Sequence, residues 1–361
     1  MNSMNKSDVR NNEEGIVAIL VTMIIMIVIT LIVTGFAQLA RREQRTALDN
    51  QLNTQAFYAA ESAINDVKHA QEAGLGDNST DCSGAAGLSG DGAALLSSLS
   101  NALTADGTIQ YSCLLVKNNV TETINAVSTS SAETMSAYTY NSPGDTATDA
   151  SELTFTWAPS SGPLALWSAP GFPDLPNATT WNTGNSIGML RIDIVPVPAA
   201  NITPTGLSDG MFTVFGYPHI SAGGGGTATY GGNASGDNGK VVKASCSTGD
   251  DGVCTLTVSG LPAGTNHFYV RLKAIYNAVT VKIQARNVSS ETLTIKGAQT
   301  EIDATGRAND VLKRIKVRVS SKTEDGLHKM IRFPEFAVDS KDAICKNLET
   351  EPTTTTNSCT P

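Results

Sequence analysis

The stretch Ile16–Leu39, IVAILVTMIIMIVITLIVTGFAQL, decides the architecture of this 361-residue chain. It contains no Asp, Glu, Lys or Arg. As a helix rising about 1.5 Å per residue it would reach about 36 Å, enough to cross the ~30 Å hydrocarbon core of a bilayer. A short polar leader ending Glu13-Glu14-Gly15 precedes it. A cleaved secretory signal has an apolar core of about 7–15 residues and a small-residue cleavage site behind it. This run is longer and no such site follows, so the reading is a membrane span rather than an ordinary signal peptide.

The helical signal does not stop at Leu39. From Ala40 to Ala73 there is no Gly or Pro, and Ala, Leu, Gln, Glu and Arg dominate. Apolar positions recur at Leu48, Leu52, Ala56, Ala59/Ala60, Ala63/Ile64 and Val67. Steps of three and four put them on one helical face. Gly74 and Gly76 supply the stop. The spacing predicts one unbroken helix from Ile16 to Ala73, about 87 Å long. Its first half is apolar all round and its second half amphipathic. A plain anchor has no need of the second half; a helix that packs both with other helices and against its own head does.

Beyond this stem the chain is rich in Gly, Ser, Thr and Asn, with only 16% charged residues overall and a net charge of −9. That balance argues against a nucleic-acid partner. Six cysteines, Cys82, Cys113, Cys246, Cys254, Cys345 and Cys359, all lie behind the stem, with no C-x-x-C or Cys/His spacing of a metal site. They allow fifteen pairings. Pairing sequence neighbours, 82–113, 246–254 and 345–359, is the simplest. The 246–254 pair has further support, because the spacer STGDDGV reads as a turn between two strands. Disulfides imply an oxidising compartment. Charge gives the opposite orientation: Arg41, Arg42 and Arg45 behind the span outweigh Lys6 and Arg10 before it, which by the positive-inside bias would hold the head in the cytoplasm. The cysteines carry more weight, since six thiols without a metal would need a separate explanation.

The expected fold class is α+β: a long N-terminal helix, half transmembrane and half amphipathic, then a mostly β, sandwich-like, disulfide-bonded head. Alternating or β-branched runs fall at Glu152–Trp157, Met189–Val195, Met211–Tyr217, Lys240–Ser245, Val253–Val258, His267–Ile275, Val279–Ala285, Leu293–Ile302 and Leu312–Ser320. Turn-forming clusters separate them. His267–Ala285 reads as a hairpin turning near Tyr276-Asn277. The divisions are a leader, 1–15; the membrane half of the helix, 16–39; its amphipathic half, 40–73; a loop-rich connection, 74–150, with a short helix near Ala93–Leu103 and a polar segment Ser128–Thr148; the β head, 151–345; and a closing disulfide loop with a Thr-rich tail, 346–361.

Chemistry-bearing constellations are sparse. His69, His219, His267 and His328 stand far apart in unrelated contexts, so neither a metal nor a triad is favoured. Asp250-Asp251-Gly252 lacks the D-x-D-x-D-G spacing of a calcium loop and reads as a turn. Trp157, Trp167, Phe172 and Trp181 cluster in a Pro-rich stretch; packing in a core and stacking on a sugar both remain open, with packing favoured. No phosphate loop, nucleophile elbow or carboxylate pair appears. The chain is therefore read as a non-enzyme, with no cofactor and no metal.

Gly15-Ile16 at the head of the apolar run, the Arg-bearing amphipathic helix, and Ala56-Phe57-Tyr58-Ala59-Ala60-Glu61-Ser62-Ala63-Ile64 together resemble type IV pilin-like proteins, most closely the PilX type of minor pilin or pseudopilin. The resemblance covers about residues 11–73. More loosely, the Cys345–Cys359 interval looks like the C-terminal disulfide loop of pilins, and Gly306-Arg307-Ala308-Asn309-Asp310-Val311-Leu312 looks like a segment of such heads. The resemblance implies a subunit held in the cytoplasmic membrane with its N-terminus inside. It implies cutting between Gly15 and Ile16 by a prepilin peptidase, with Ile16 becoming the methylated first residue. It also implies passage through an inner-membrane assembly platform to a cell-surface filament, and contact with other pilin subunits through the helix. Glu13 and Glu14 depart from the commoner basic leader. Leu20 stands where the family usually has Glu, whose carboxylate pairs with a neighbour's amino terminus. A subunit lacking it suits a tip or minor position. The competing reading is an uncleaved, single-span surface protein whose β head binds a glycan or another extracellular ligand.

Overall fold

The structure, a computed structural model, describes residues 8–140, 147–160, 181, 187–197, 210–220, 226–231, 241–247 and 252–320. One helix, α1, runs unbroken over Asp8–Glu72. At about 1.5 Å per residue it is about 98 Å long. The expected continuity past the apolar run is present, and the helix also continues backwards through Gly15 into the leader. It ends at Gly74, whose φ of 88° lies in the left-handed region that glycine occupies without steric cost.

Behind α1 the elements run β1 (Gly76–Asp77), β2 (Leu88–Ser89), α2 (Asp91–Ser98), β3 (Ile109–Lys117), β4 (Thr123–Val127), β5 (Glu133–Tyr140), β6 (Glu152–Pro159), β7 (Met189–Val197), β8 (Phe212–Ile220), β9 (Gly226–Thr229), β10 (Val241–Cys246), β11 (Cys254–Ser259), β12 (His267–Ile275), β13 (Val279–Arg286), β14 (Thr294–Lys296), β15 (Gln299–Ala308) and β16 (Val311–Ser320). They form two compact units. The first unit holds residues 1–70, 79–116 and 302–317; the second holds 71–78, 117–301 and 318–361. The chain thus leaves the first unit over residues 71–78, leaves it again at the end of β3 and re-enters it within β15.

The first unit contains α1 as far as Ala70 and most of a three-stranded sheet in the order β16-β15-β3. Cys82–Cys113 fastens the loop after α1 to β3. The second unit is built on an eleven-stranded sheet with the path β14-β5-β12-β7-β8-β10-β11-β6-β13-β4, to which β9 adds beside β11. One large apolar core includes Phe155, Ile192, Val214, Leu256, Phe268 and Ile283 from strands along the path, and smaller clusters form around Trp181 and around Val195. The two ends of the path also touch, β4 on β5 and β12, and β13 on β14. The sheet therefore folds over one core, which gives the sandwich-like character expected. Cys246 and Cys254 face each other as register partners on antiparallel β10 and β11, and are bonded.

Three local expectations are corrected. His267–Ala285 is not a hairpin: β12 pairs with β5 and β7, whereas β13 pairs with β4 and β6. Both strands already have two neighbours, so the link at Tyr276 (φ 74°) carries the chain from one layer to the other instead of folding it back. Leu293–Ile302 is not one strand. Gly297, at φ 80°, divides β14 in the large sheet from β15 in the small one. Third, the stretch read as a loop-rich connection contains β3, β4, β5 and α2, and α2 ends at Ser98 rather than near Leu103. The polar segment 128–148 holds β5, ETMSAYTY, whose pairing partners are distant in sequence. A strand with so few aliphatic residues gives little periodic signal on its own.

Candidate assembly interface

The two halves of α1 have different surroundings. Every residue from Val17 to Gln51 is exposed, including all the large apolar side chains of the run, which range from 46% for Val21 to 71% for Met26. In water a patch of this kind would be strongly unfavourable, so it marks a face for lipid or another protein. One helix among the described residues, Val17–Glu72, is long and apolar enough to cross a membrane. Three threonines of the span, Thr22, Thr30 and Thr34, donate their hydroxyls to the carbonyls of Ile19, Met26 and Thr30 at 2.7–2.9 Å. These three hydroxyls need no water, which suits an apolar surrounding. Leu20 is among the exposed residues, at 57%.

From Ala56 onward one face is buried. Ala56, Ala59, Ala60, Ala63, Val67 and Ala70 have no exposed surface and Ile64 only 6%. Leu48 and Leu52 belong to the same periodic pattern, yet Leu48 is 58% exposed and Leu52 only half-buried. The alanines matter less for the area they bury than for how close they let the sheet come. A Cβ at Gly306 in β15 would lie 2.0 Å from the Ala56 carbonyl oxygen, 2.5 Å from the Ala60 nitrogen and 3.0 Å from the Ala59 Cβ. Helix and strand backbones are in direct contact there, and no residue larger than glycine fits. Ile64 and Val67 add apolar burial of about 1.5–3 kcal/mol each. The segment flagged as Gly306–Leu312 thus supplies the sheet's contact with the helix. It also forms the β15–β16 turn, where Asn309 takes φ 53° and donates its N–H to the Thr108 carbonyl at 2.9 Å.

A polar contact accompanies this packing. Tyr111 of β3, 6% exposed, hydrogen-bonds Asp66 of α1. Burial raises the Asp66 carboxyl above the ordinary carboxylate range, against the lowering effects of the Tyr111 hydrogen bond and nearby His69. Burial, then the Asp66 charge and hydrogen bond, push the Tyr111 phenol up to about 12. In the second unit, Gln71 donates to the Thr300 hydroxyl at 2.6 Å, and that hydroxyl donates to Asn118 at 2.8 Å.

The other candidates of the sequence fall elsewhere. Trp157 and Trp181 are buried, donating their indole N–H to the carbonyls of Gly188 and Ile187. Trp181 stacks on Tyr276 at 4.5 Å. These two rings are core, not a sugar platform; Trp167 and Phe172 lie outside the described residues. His69 is in the last turn of α1, His219 is in β8, and His267 is stacked on Tyr138 at 4.1 Å. Among the described residues no group of three His, Cys, Asp or Glu could hold a metal. Asp250, Asp251, His328, Cys345 and Cys359 lie outside the described residues.

An exposed apolar half followed by a small-residue face against a sheet is the arrangement expected from the amphipathic pattern of the stem, and residues 14–65 match the family model PilX N-terminal. The stem is similar to the PilX N-terminal family. The match begins at Glu14, directly before Gly15-Ile16, and ends within the face buried on β15. It spans about a seventh of the chain, so the PilX-type, type IV pilin-like character is that of the stem. No curated protein and no solved structure matches the chain.

Proposed function

We propose that this protein is a minor type IV pilin or pseudopilin, a structural and non-enzymatic subunit of a pilus or secretion filament. The observation that supports this best is the division of α1: an exposed PilX-type span, continuous with a face seated backbone-to-backbone on Gly306. Before assembly the span holds the subunit in the cytoplasmic membrane with its N-terminus inside. A prepilin peptidase cuts between Gly15 and Ile16 and frees the stem. An inner-membrane assembly platform then moves it outward, where the exposed half meets the stems of other pilin subunits. The bonded pairs Cys82–Cys113 and Cys246–Cys254 favour a head outside the cytoplasm.

Leu20 bears on the subunit's place in a filament. An amino terminus buried among apolar stems is costly unless paired. A subunit with Leu at this position offers its neighbour no carboxylate, which favours a tip or initiating place over repeated incorporation.

Mass spectrometry of the N-terminus of the protein from its native host tests the reading. The expected product starts at Ile16 with one added methyl group; an intact leader, or a start elsewhere, overturns it. An intact leader would instead favour a single-span surface protein.

A further inference from the structure

Just beyond the apolar run, the exposed half of α1 turns basic. Between Ala40 and Leu48, Arg41, Arg42 and Arg45 stand against one carboxylate, Glu43, and all four are exposed. At about 100° per residue the three arginines fall within an arc of about 100°, and Glu43 lies about 100° or more from each. None of the three guanidinium groups makes an ion pair among the described residues. Helical steps of three and four lead from Arg41 through Arg45, Leu48, Leu52 and Ala56 to Ala59. Arg41 and Arg45 thus continue, toward the apolar run, the face that Ala56 and Ala59 press on β15. The sheet does not cover them: on this face burial begins at Leu52, half-buried, and is complete at Ala56.

The continuous helix sets their depth. Arg41 lies about 3 Å past Leu39 along the axis and Arg45 about 9 Å past it. The polar headgroup layer adds about 5–8 Å on each side of the hydrocarbon core. Long arginine stems let the charged ends settle within that layer. Asp49, about 15 Å past Leu39, lies beyond it.

We propose that Arg41, Arg42 and Arg45 form a binding face for the phosphate of an anionic glycerophospholipid, in the leaflet on the side of the head. Charge complementarity and depth choose the occupant. While α1 crosses a membrane, headgroups surround the helix at this level, and a planar guanidinium takes two phosphate oxygens at once. The contact gives three arginines a place on the head side of the span, where the positive-inside bias disfavours them. It also holds the subunit in the leaflet, because leaving the membrane means giving the phosphates up. The proposal rests on α1 crossing a membrane, and not on a cut at Gly15 or on entry into a filament.

Electron spin resonance tests it on the full-length chain in phosphatidylcholine bilayers, with trace spin-labelled phosphatidylglycerol or phosphatidylcholine as the probe. Phosphatidylglycerol should associate with the protein about fivefold more strongly, the factor that one basic residue near an anionic surface supplies. The excess should shrink as salt is raised. Changing Arg41→Gln, Arg42→Gln and Arg45→Gln together should bring the two lipids to parity. Lys6→Gln with Arg10→Gln, at the other end of the span, should leave the excess in place. Parity of the two lipids in the parent would overturn the proposal and assign the arginines to carboxylates of another protein. An excess that survives the triple change, or one that follows Lys6 and Arg10, would overturn it as well. The bilayers contain no peptidase and no other pilin, so a native N-terminus other than Ile16 would remove the filament reading and leave this result standing.

Discussion

Residues 17–51 and residues 56–71 belong to one helix, yet they are built for different neighbours. The first stretch shows large branched side chains on every side through its apolar run, and all of them are exposed. The second is narrow on one side, where alanines let β15 approach until backbone meets backbone at Gly306. Burial inside the chain therefore does not follow hydrophobicity along α1. The most apolar half is the exposed one, and the packed half is made of small residues. A helix that served only as an anchor would satisfy the first half and leave the second without a purpose.

The comparison can be broken most severely at Gly306. Gly306→Val puts a branched side chain where a Cβ alone would overlap the Ala56 carbonyl, and should cost about 3 kcal/mol or more. Limited proteolysis should then cut within the first unit while the second stays resistant. A variant as resistant as the parent would mean the two backbones do not meet there.

Of comparable size is the Cys82–Cys113 bond, whose 31-residue separation should be worth about 3.7 kcal/mol, against about 2.5 kcal/mol for Cys246–Cys254 with a separation of 8. Replacing each pair by alanine and comparing denaturation midpoints should rank them in that order.

Tyr111→Phe leaves Asp66 without its donor and should cost about 1–3 kcal/mol. The pH dependence has a defined sign. Both groups have folded pKa values above their unfolded ones, so the folded state holds the extra proton, and the stability this brings is lost as pH rises. For Asp66 the loss begins near 3.8 and runs upward; for Tyr111 it runs from 10 to about 12. Chemical denaturation of Tyr111→Phe should lack the alkaline component. An unchanged loss between pH 10 and 12 would reassign it. The smallest effect belongs to the exposed half: Leu48→Ala should change the stability of the isolated chain by no more than about 0.5 kcal/mol, since Leu48 is 58% exposed.

Much of this was legible from residue order. The helix was read from an uncharged run followed by steps of three and four, and the longer strands from their alternation. What alternation does not carry is pairing. β12 and β13 are consecutive and equally regular, yet they lie in opposite layers, because each already has two partners from distant parts of the chain. The strands β3, β4 and β5 were missed because Thr, Ser, Asn and Gln interrupt their apolar pattern, and their hydrogen-bond partners come from long-range contacts. The break at Gly297 had a signal, a glycine inside a strand-like run, which often marks a bend. At the helix–sheet contact, the Ala56–Ala63 face was visible as periodicity, but its partner was not. Gly306 inside the regular strand pattern of β15 was the available hint of a close backbone approach.

The most direct test of the central claim, that the exposed half of α1 continues past the membrane in order to meet other subunits, is photo-crosslinking from position 48. Leu48 lies nine residues beyond Leu39, about 14 Å further along the helix, and is 58% exposed. With a benzophenone amino acid at this site in the full-length protein in its native host, the account predicts adducts with pilin-type subunits. Abundant, properly inserted protein that yields no protein adduct from position 48 would contradict it and leave α1 as a membrane anchor alone.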